Sequence, residues 1–192
     1  MAEVDVRPIT PSRWKDLERL FGPNGAYSNC WCMWWRMPSK DFDRAAPDRK
    51  RSALRRLVRD SRRPGLLAYR DGDPVGWVSV APREEFGRLE RSSTLKRVDD
   101  RPVWSIVCFY IHRGHRGEGV ARALLDAAVD HAARRGAKIV EGYPVDPAVR
   151  DYPAAEAYTG PLPLFESAGF REVARRGKRP VVRRTIRRRS SR

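Results

Sequence analysis

The residues best suited to chemistry lie in one run, Arg116-Gly117-Glu118-Gly119-Val120-Ala121. A β-rich stretch, 103–111, precedes it, and a helical pattern begins at Val120. A helix N-terminus exposes unpaired N–H groups and the positive end of the helix dipole. Gly117 and Gly119 let the backbone approach an anion with its amides turned inward, and Arg116 adds charge. Arg113 and His115 are close enough to assist. The run reads as a phosphate cradle in strand–turn–helix context. Its bland alternative is a tight turn with close helix packing. Two familiar nucleotide sites are excluded. No Gly-Lys-Ser/Thr follows, as a Walker A loop requires, and glycines at 114, 117 and 119 break the dinucleotide order.

Two further groups draw attention. Trp31, Trp34 and Trp35 fall within five residues and are followed by Arg36. They read either as an aromatic pocket with a cation for an acid group or as packing of a helix connection. Cys30, Cys32 and Cys108 are the three cysteines. An odd, small number argues against a disulfide framework, and Cys30-x-Cys32 is too tight for the usual zinc pair, so no metal is expected. Strand alternation puts Cys108 on the face opposite Phe109. It is either a buried small apolar residue or, with a lowered pKa, a nucleophile.

Local patterns place these groups on elements. Val4 and Val6 mark a first strand. Thr10-Pro11 opens a helix carrying Trp14, Leu17, Leu20 and Phe21, and Gly22-Pro23 ends it. Asp48 is placed to cap a helix with Leu54, Leu57 and Val58 on its apolar stripe. Apolar runs 66–69 and 75–80 flank Asp71-Gly72-Asp73, a hairpin signal. Residues 83–101 read as a long loop. Val120, Ala123, Leu124, Ala127, Ala128 and His131 follow the helical period, and Gly136 ends that helix. A strand over 139–145, a Pro-rich loop over 146–160, a short helix over 162–168 and a final hairpin over 170–173 and 181–186 complete the order β-α-α-β-β-β-α-β-α-β-β. The expected fold is a mixed α/β domain over 1–186 with a basic disordered tail over 187–192.

Composition bounds the partners. The 192 residues suit one domain with a sizeable core. The start lacks a signal-peptide pattern and no apolar run is long enough to span a bilayer, so a cytoplasmic protein with no membrane partner is expected. Net charge is +16, with 34 of the 40 basic residues arginine. Residues 171–192 hold eleven Lys/Arg and one Glu. A solvated basic edge is the weightier reading, and nucleic-acid binding the lesser one.

The run Arg-Gly-x-Gly-Val-Ala followed by Leu-Leu resembles the acyl-CoA signature of the GNAT N-acetyltransferase superfamily, with Arg116, Gly119 and Ala121 at its fixed positions. Leu164-Phe165-Glu166-Ser167-Ala168-Gly169-Phe170 is similar to that family's closing helix and Gly-Phe ending. The resemblance implies a mostly antiparallel sheet of about six to seven strands, splayed at the central strands, with about four helices. It implies that the amides of residues 117–122, hence Gly117, Glu118, Gly119, Val120, Ala121 and Arg122 beside Arg116, seat the pyrophosphate of acetyl-CoA. The backbone of Phe109 and Ile111 would pair with the pantetheine arm. Trp31, Trp34, Trp35 and Arg36 fall where relatives wall the acceptor site. Many relatives use a closing-helix Tyr as acid to the departing thiolate, but the matching position is Phe165. Tyr158 is the substitute if its loop folds back. A strand carboxylate used as base by some relatives would fall near Ser105, and Glu84 or Glu85 could act through water. Cys108 lies near the expected thioester.

The expected function is acetyl transfer from acetyl-CoA to a primary amine, of a small molecule or a protein, by direct attack. A non-catalytic acyl-CoA-binding module is the alternative. The edge strands of such a sheet can pair in a homodimer.

Overall fold

The computed structural model describes residues 3–149 and 154–186. The tail expected at 187–192 lies outside the described residues. Seven strands form one sheet in the order β1-β2-β3-β4-β5-β7-β6. They are β1 (Asp5–Pro8), β2 (Gly65–Arg70), β3 (Asp73–Pro82), β4 (Trp104–Ile111), β5 (Ile139–Gly142), β6 (Arg171–Arg176) and β7 (Arg179–Thr185). Every neighbouring pair is antiparallel except β4 with β5. Six α-helices are described: α1 (Trp14–Phe21), α2 (Ser39–Arg44), α3 (Pro47–Arg59), α4 (Gly87–Arg91), α5 (Val120–Arg134) and α6 (Leu162–Ser167). No helix among the described residues is long and apolar enough to cross a membrane.

Helix α5 packs on one face of the sheet. Val120, Leu124, Leu125, Ala128, Val129 and Ala132 are buried there with Val78, Val80, Ile106 and Phe109. A Cβ added to Gly76 of β3 would lie 2.8 Å from Val120 and 3.0 Å from Leu124. Glycine thus lets the first turn of α5 sit tight against the sheet, which fixes the turn that precedes it. The opposite face is covered by α1 and α3, with Trp14, Leu17, Phe21, Leu54 and Val58 packed on Leu67 and Trp77.

Several local expectations shift by a few residues. Helix α3 begins at Pro47 with Ala46 at its N-cap, so Asp48 sits in the first turn, where its charge favours the dipole. Thr10 precedes a short 3-10 turn, Pro11–Arg13, before α1. Strand β5 ends at Gly142, three residues early, because Val145 bridges to Pro161 instead.

The segment expected as a long loop, 83–101, holds α4 and is pinned by a buried ion network. Arg83 and Glu141 are each 1% exposed. Arg83 Nη1 donates to Glu141 Oε1 (2.9 Å) and to the Tyr143 hydroxyl (2.7 Å), and its Nη2 to the carbonyls of Leu89 and Leu95. Arg183 of β7 closes the other carboxylate oxygen at 2.6 Å. Ser105 bonds the Tyr143 hydroxyl at 2.7 Å. Two arginines and a tyrosine therefore surround one carboxylate, the condition under which a buried charge is tolerated. The segment is held by the Arg83 guanidinium together with Phe86, Leu89 and Leu95, which are buried but too few to give a clear period.

His131 lies on α5 at 3% exposure, edge-on to Trp104 at 5.9 Å, with its Nε2 buried and unpartnered. Burial, with Arg135, Arg134 and Arg63 nearby, lowers its pKa to about 4. The unfolded chain binds that proton at ordinary histidine pH, so stability falls as pH drops from about 6.5 toward 4. This one group should cost about 2 kcal/mol between pH 7 and pH 5. Urea midpoints at the two pH values will show the loss in the native chain and its reduction in His131→Leu; equal losses in both would remove His131 as the cause.

Candidate active site

The site is built where β4 and β5 part. They pair only over Trp104–Ile106 with Val140–Gly142. Beyond this, β5 turns away, and Val145 exchanges bonds with Gly160 and Leu162. Phe165 explains why the strands separate here. A Cβ on Gly142 would lie 2.3 Å from its ring, so the ring fills the space a side chain would take. Phe165 is fully buried and edge-on to Phe109 at 6.0 Å and Phe170 at 5.2 Å. It is a core wedge with no proton to give.

Strand β4 presents two kinds of group at the parting. His112 N–H donates to Val75 O, so alternation turns the backbone of Tyr110 toward β3 and that of Phe109 and Ile111 toward the gap. A bulge between the β3 partners of Ile106 and Cys108 leaves Val107 without a cross-strand partner. A bulge breaks strict alternation. Val107 and Cys108 consequently line the same cavity, with Tyr110, while Phe109 faces α5.

The turn after β4 has the form of an anion cradle. Gly117 (φ 79°) and Gly119 (φ 81°) are left-handed, and Gly119 is the N-cap of α5 with no side chain capping it. A Cβ at either glycine would meet nothing within 4 Å, so the space over the turn is open and the first amides of α5 face it unpaired. Arg116 Nε donates to Ile111 O at 3.4 Å. Glu118 is neutralised by an ion pair with Arg70 and contacts His115 at 3.2 Å. Arg122 is held by Asp126 and by the carbonyl and hydroxyl of Ser167. Val120 packs into the core and Ala121 lies on the first turn. The cradle therefore carries open amides, a nearby Arg116 and no uncompensated carboxylate, which fits a pyrophosphate.

On the other face of β4 lies a cavity of about 640 Å³, a size that suits a small ligand. Phe21, Tyr27, Trp34, Trp35, Phe42, Trp77, Tyr110 and Tyr158 give it aromatic walls. The loop before α6 does fold back: a 3-10 turn, Ala154–Thr159, stacks Tyr158 on Tyr110 (6.5 Å, 12°) and against Tyr27 (4.9 Å). Burial raises the Tyr158 pKa above its ordinary value, so the phenol keeps its proton at neutral pH.

The Trp-rich segment divides. Trp34 and Trp35 line the cavity. Trp31 does not. It is buried, stacked on Trp14 at 6.3 Å and tilted on Phe21 at 5.6 Å. Arg36 is also turned away from the cavity, paired with Glu85 at 2.7 Å over the Phe86 ring. An already answered charge cannot hold an acid group, so the expectation for Trp31 and Arg36 is corrected to packing. Glu84 and Glu85 fare likewise as bases: Glu84 pairs with Arg97, and Glu85 with Arg36 and Arg62. Ser105 belongs to the Glu141 network.

Cys108 is corrected as well. The Trp77 indole N–H donates to Cys32 Sγ at 3.2 Å, and the Cys108 thiol donates to the Phe109 carbonyl at 3.8 Å. The neighbouring Cys108 thiol pulls the Cys32 pKa down to about 7 against the upward push of burial, while Cys32 and burial push Cys108 well up. Cys108 is thus a donor and a poor nucleophile. Sequence reasoning missed Cys32, whose partner lies 76 positions away in the chain. It also missed Tyr27 and Arg88, which reach the same cavity from separate elements.

A family model described as the acetyltransferase (GNAT) family matches residues 29–154. The chain belongs to that family. No curated protein matches it. Solved structures share the fold across almost the whole chain. A histone acetyltransferase HPA2 and related acetyltransferase from Corynebacterium glutamicum is 16% identical over all of both chains, with a TM-score of 0.59. The PaiA N-acetyltransferase of Thermoplasma acidophilum, in complex with coenzyme A, is 10% identical, covering 96% of this chain and 99% of its own, at 0.54. The diaminobutyrate acetyltransferase EctA from Paenibacillus lautus, with its substrate and coenzyme A, is 14% identical over 95% of each chain, at 0.52. This GNAT chain is accordingly an acetyltransferase that uses acetyl-CoA, and its sheet is the mostly antiparallel, splayed sheet of the family.

Two outcomes follow for the GNAT site. Gly119→Ala would put a Cβ into the open space over the turn, where an anion would lie, and should weaken CoA binding roughly tenfold. Calorimetry with CoA checks this, and unchanged affinity would show that the turn does not hold the pyrophosphate. Mass spectrometry after incubation with acetyl-CoA should find no acetyl group on Cys108; such an adduct would restore covalent transfer.

Proposed function

We propose that the chain moves the acetyl group of acetyl-CoA to a primary amine held in the aromatic cavity, by direct attack in a ternary complex. The observation that carries this reading is the bulge of β4. At that point the backbone gap on one edge and the cavity on one face meet at the same few residues, Val107 to Tyr110. A thioester arm laid along the gap would bring its carbonyl to the cavity mouth. The EctA structure holds an amine substrate together with coenzyme A, which supports an amine acceptor here.

In this reading, amides 117–122 hold the pyrophosphate with Arg116, and the backbones of Phe109 and Ile111 hold the pantetheine arm. The Phe109 N–H, turned into the gap, is a donor for the oxyanion that forms on attack. The amine nitrogen bonds to the thioester carbon, the C–S bond breaks, and the sulfur leaves as thiolate. Tyr158 supplies the proton to that sulfur in place of a closing-helix tyrosine. The amine's own proton goes to water. Glu156, the carboxylate on the described cavity wall, is already paired with Arg179.

Phe165 is the observation that favours a second reading, a non-catalytic acyl-CoA-binding module. Binding of acetyl-CoA with no thiol release across an amine panel would decide for that module. A nucleic-acid role draws less support. The arginines of β6 and β7 are spent inside the fold: Arg175 on Asp146 and Glu172, Arg176 on the carbonyls of Thr94, Lys96 and Arg97, Arg179 on Glu156, and Arg183 on Asp99 and Glu141.

Tyr158→Phe should lower kcat by about 10²-fold with CoA affinity unchanged. Because the phenol acts in its protonated form and burial raises its pKa, activity limited by it should fall only above about pH 10. Steady-state thiol release checks both, and a Tyr158→Phe enzyme with native kcat would exclude the tyrosine as acid.

A further inference from the structure

Arg88 stands on α4 at the cavity wall. Its backbone N–H donates to Trp35 O at 3.1 Å, which ties α4 to the Trp-rich segment. Its guanidinium lies 3.6 Å from the centre of the Trp34 ring and 5.7 Å from that of Phe42. Nε and Nη2 are enclosed and make no hydrogen bond among the described residues. No ion pair with Arg88 is formed there either, although the Asp43 charge acts on it from a distance. Nη1 is the nitrogen left unenclosed. This differs from the other arginines near the site. Arg36, Arg70, Arg83 and Arg179 each meet a carboxylate. Arg91, also on the wall, is exposed and folds back over Gly87.

A guanidinium stacked on aromatic rings keeps its charge but loses water, and the rings accept none of its N–H groups. Burial accordingly acts to lower its pKa. A cation in this state attracts any anion that the cavity admits, because the low local dielectric strengthens the pairing. The guanidinium fork matches a carboxylate in particular. Eight aromatic residues share the remaining walls with small hydroxyl and aliphatic side chains, and the one carboxylate among the described lining residues, Glu156, is neutralised by Arg179. The cavity is therefore built for a ring and an acid group together.

We infer that the acceptor is a primary amine that bears both an aromatic ring and a carboxylate, and that Arg88 holds this carboxylate while the aromatic walls hold the ring. The inference rests on the acceptor reading proposed above and narrows it to a substrate class.

The test uses the full chain with acetyl-CoA and three amines: L-phenylalanine, phenethylamine, which lacks the carboxylate, and L-alanine, which lacks the ring. Thiol release should give L-phenylalanine a kcat/KM on the order of ten- to a hundredfold above either analogue. Arg88→Met, which keeps an apolar stem on Trp34, should bring L-phenylalanine down to the level of phenethylamine and leave CoA affinity unchanged. Arg88→Lys should retain part of the preference. Calorimetry with N-acetyl-L-phenylalanine and N-acetylphenethylamine, both in the presence of CoA, separates the two proposals. If no amine is turned over but N-acetyl-L-phenylalanine binds more tightly and loses this in Arg88→Met, the carboxylate site stands and the catalytic reading falls. If phenethylamine serves as well as L-phenylalanine, or Arg88→Met weakens both alike, or neither acetyl compound binds, the inference is overturned.

Discussion

Everything at the centre of this molecule depends on the parting of β4 from β5. The two strands share three register pairs and then diverge, and the Phe165 ring occupies the space above Gly142 that continued packing would need. The divergence leaves a row of backbone donors and acceptors on β4 with no strand beside them. Buried backbone groups demand partners, so the gap is a binding surface by construction. The wedge itself carries no hydroxyl, and Tyr158 stands apart from it on the cavity wall.

Rigidity around the gap comes from charge as much as from apolar packing. Glu141 on β5, Arg83 before α4 and Arg183 on β7 form a buried set that binds three segments across the sheet. A carboxylate so enclosed could not leave its partners to take a proton from a substrate. Ser105, in register with Glu141 on the neighbouring strand, serves the same network. The site thus gives up a built-in base and gains a fixed frame. By contrast, the cavity wall from Ala26 to Cys32 carries five non-glycine residues in left-handed conformations, Ala26, Ser28, Asn29, Trp31 and Cys32. Such strain persists only where surrounding contacts enforce it, and the burial of Trp31 between Trp14 and Phe21 provides that enforcement.

The parts that could be read from the sequence are those set by local rules. The cradle at 116–121 was legible because glycine, a β-run and a helical period fall in order within about thirty residues. Cys108 lies opposite Phe109, as alternation requires. The bulge at Val107 was not legible, since an unpaired residue leaves no mark in a run of apolar side chains. Nor could the sequence separate Trp31 from Trp34, or Arg36 from Arg88. Each pair looks alike locally, and what distinguishes its members is a partner elsewhere in the chain: Trp14 for Trp31, Glu85 for Arg36 and, among the described residues, no carboxylate for Arg88. Residues 83–101 misled for a related reason, because their few apolar anchors, Phe86, Leu89 and Leu95, are widely spaced and Arg83 holds the segment through a partner far along the chain, Glu141.

The C-terminal arginines carry one more consequence. Arg176 reaches three backbone carbonyls of the 94–97 segment, Arg184 the Ala168 carbonyl, and Arg179 both Glu156 and the Tyr143 carbonyl. The clamps of Arg176 and Arg179 each use two nitrogens of one planar group, a fork that an ammonium cannot reproduce. The surplus of positive charge is thus less a field for attracting partners than a mortar of guanidinium groups set between loops. A chain recoded with lysine at these positions would carry the same net charge at neutral pH, yet its β6–β7 edge would lose the grip on the rest of the molecule.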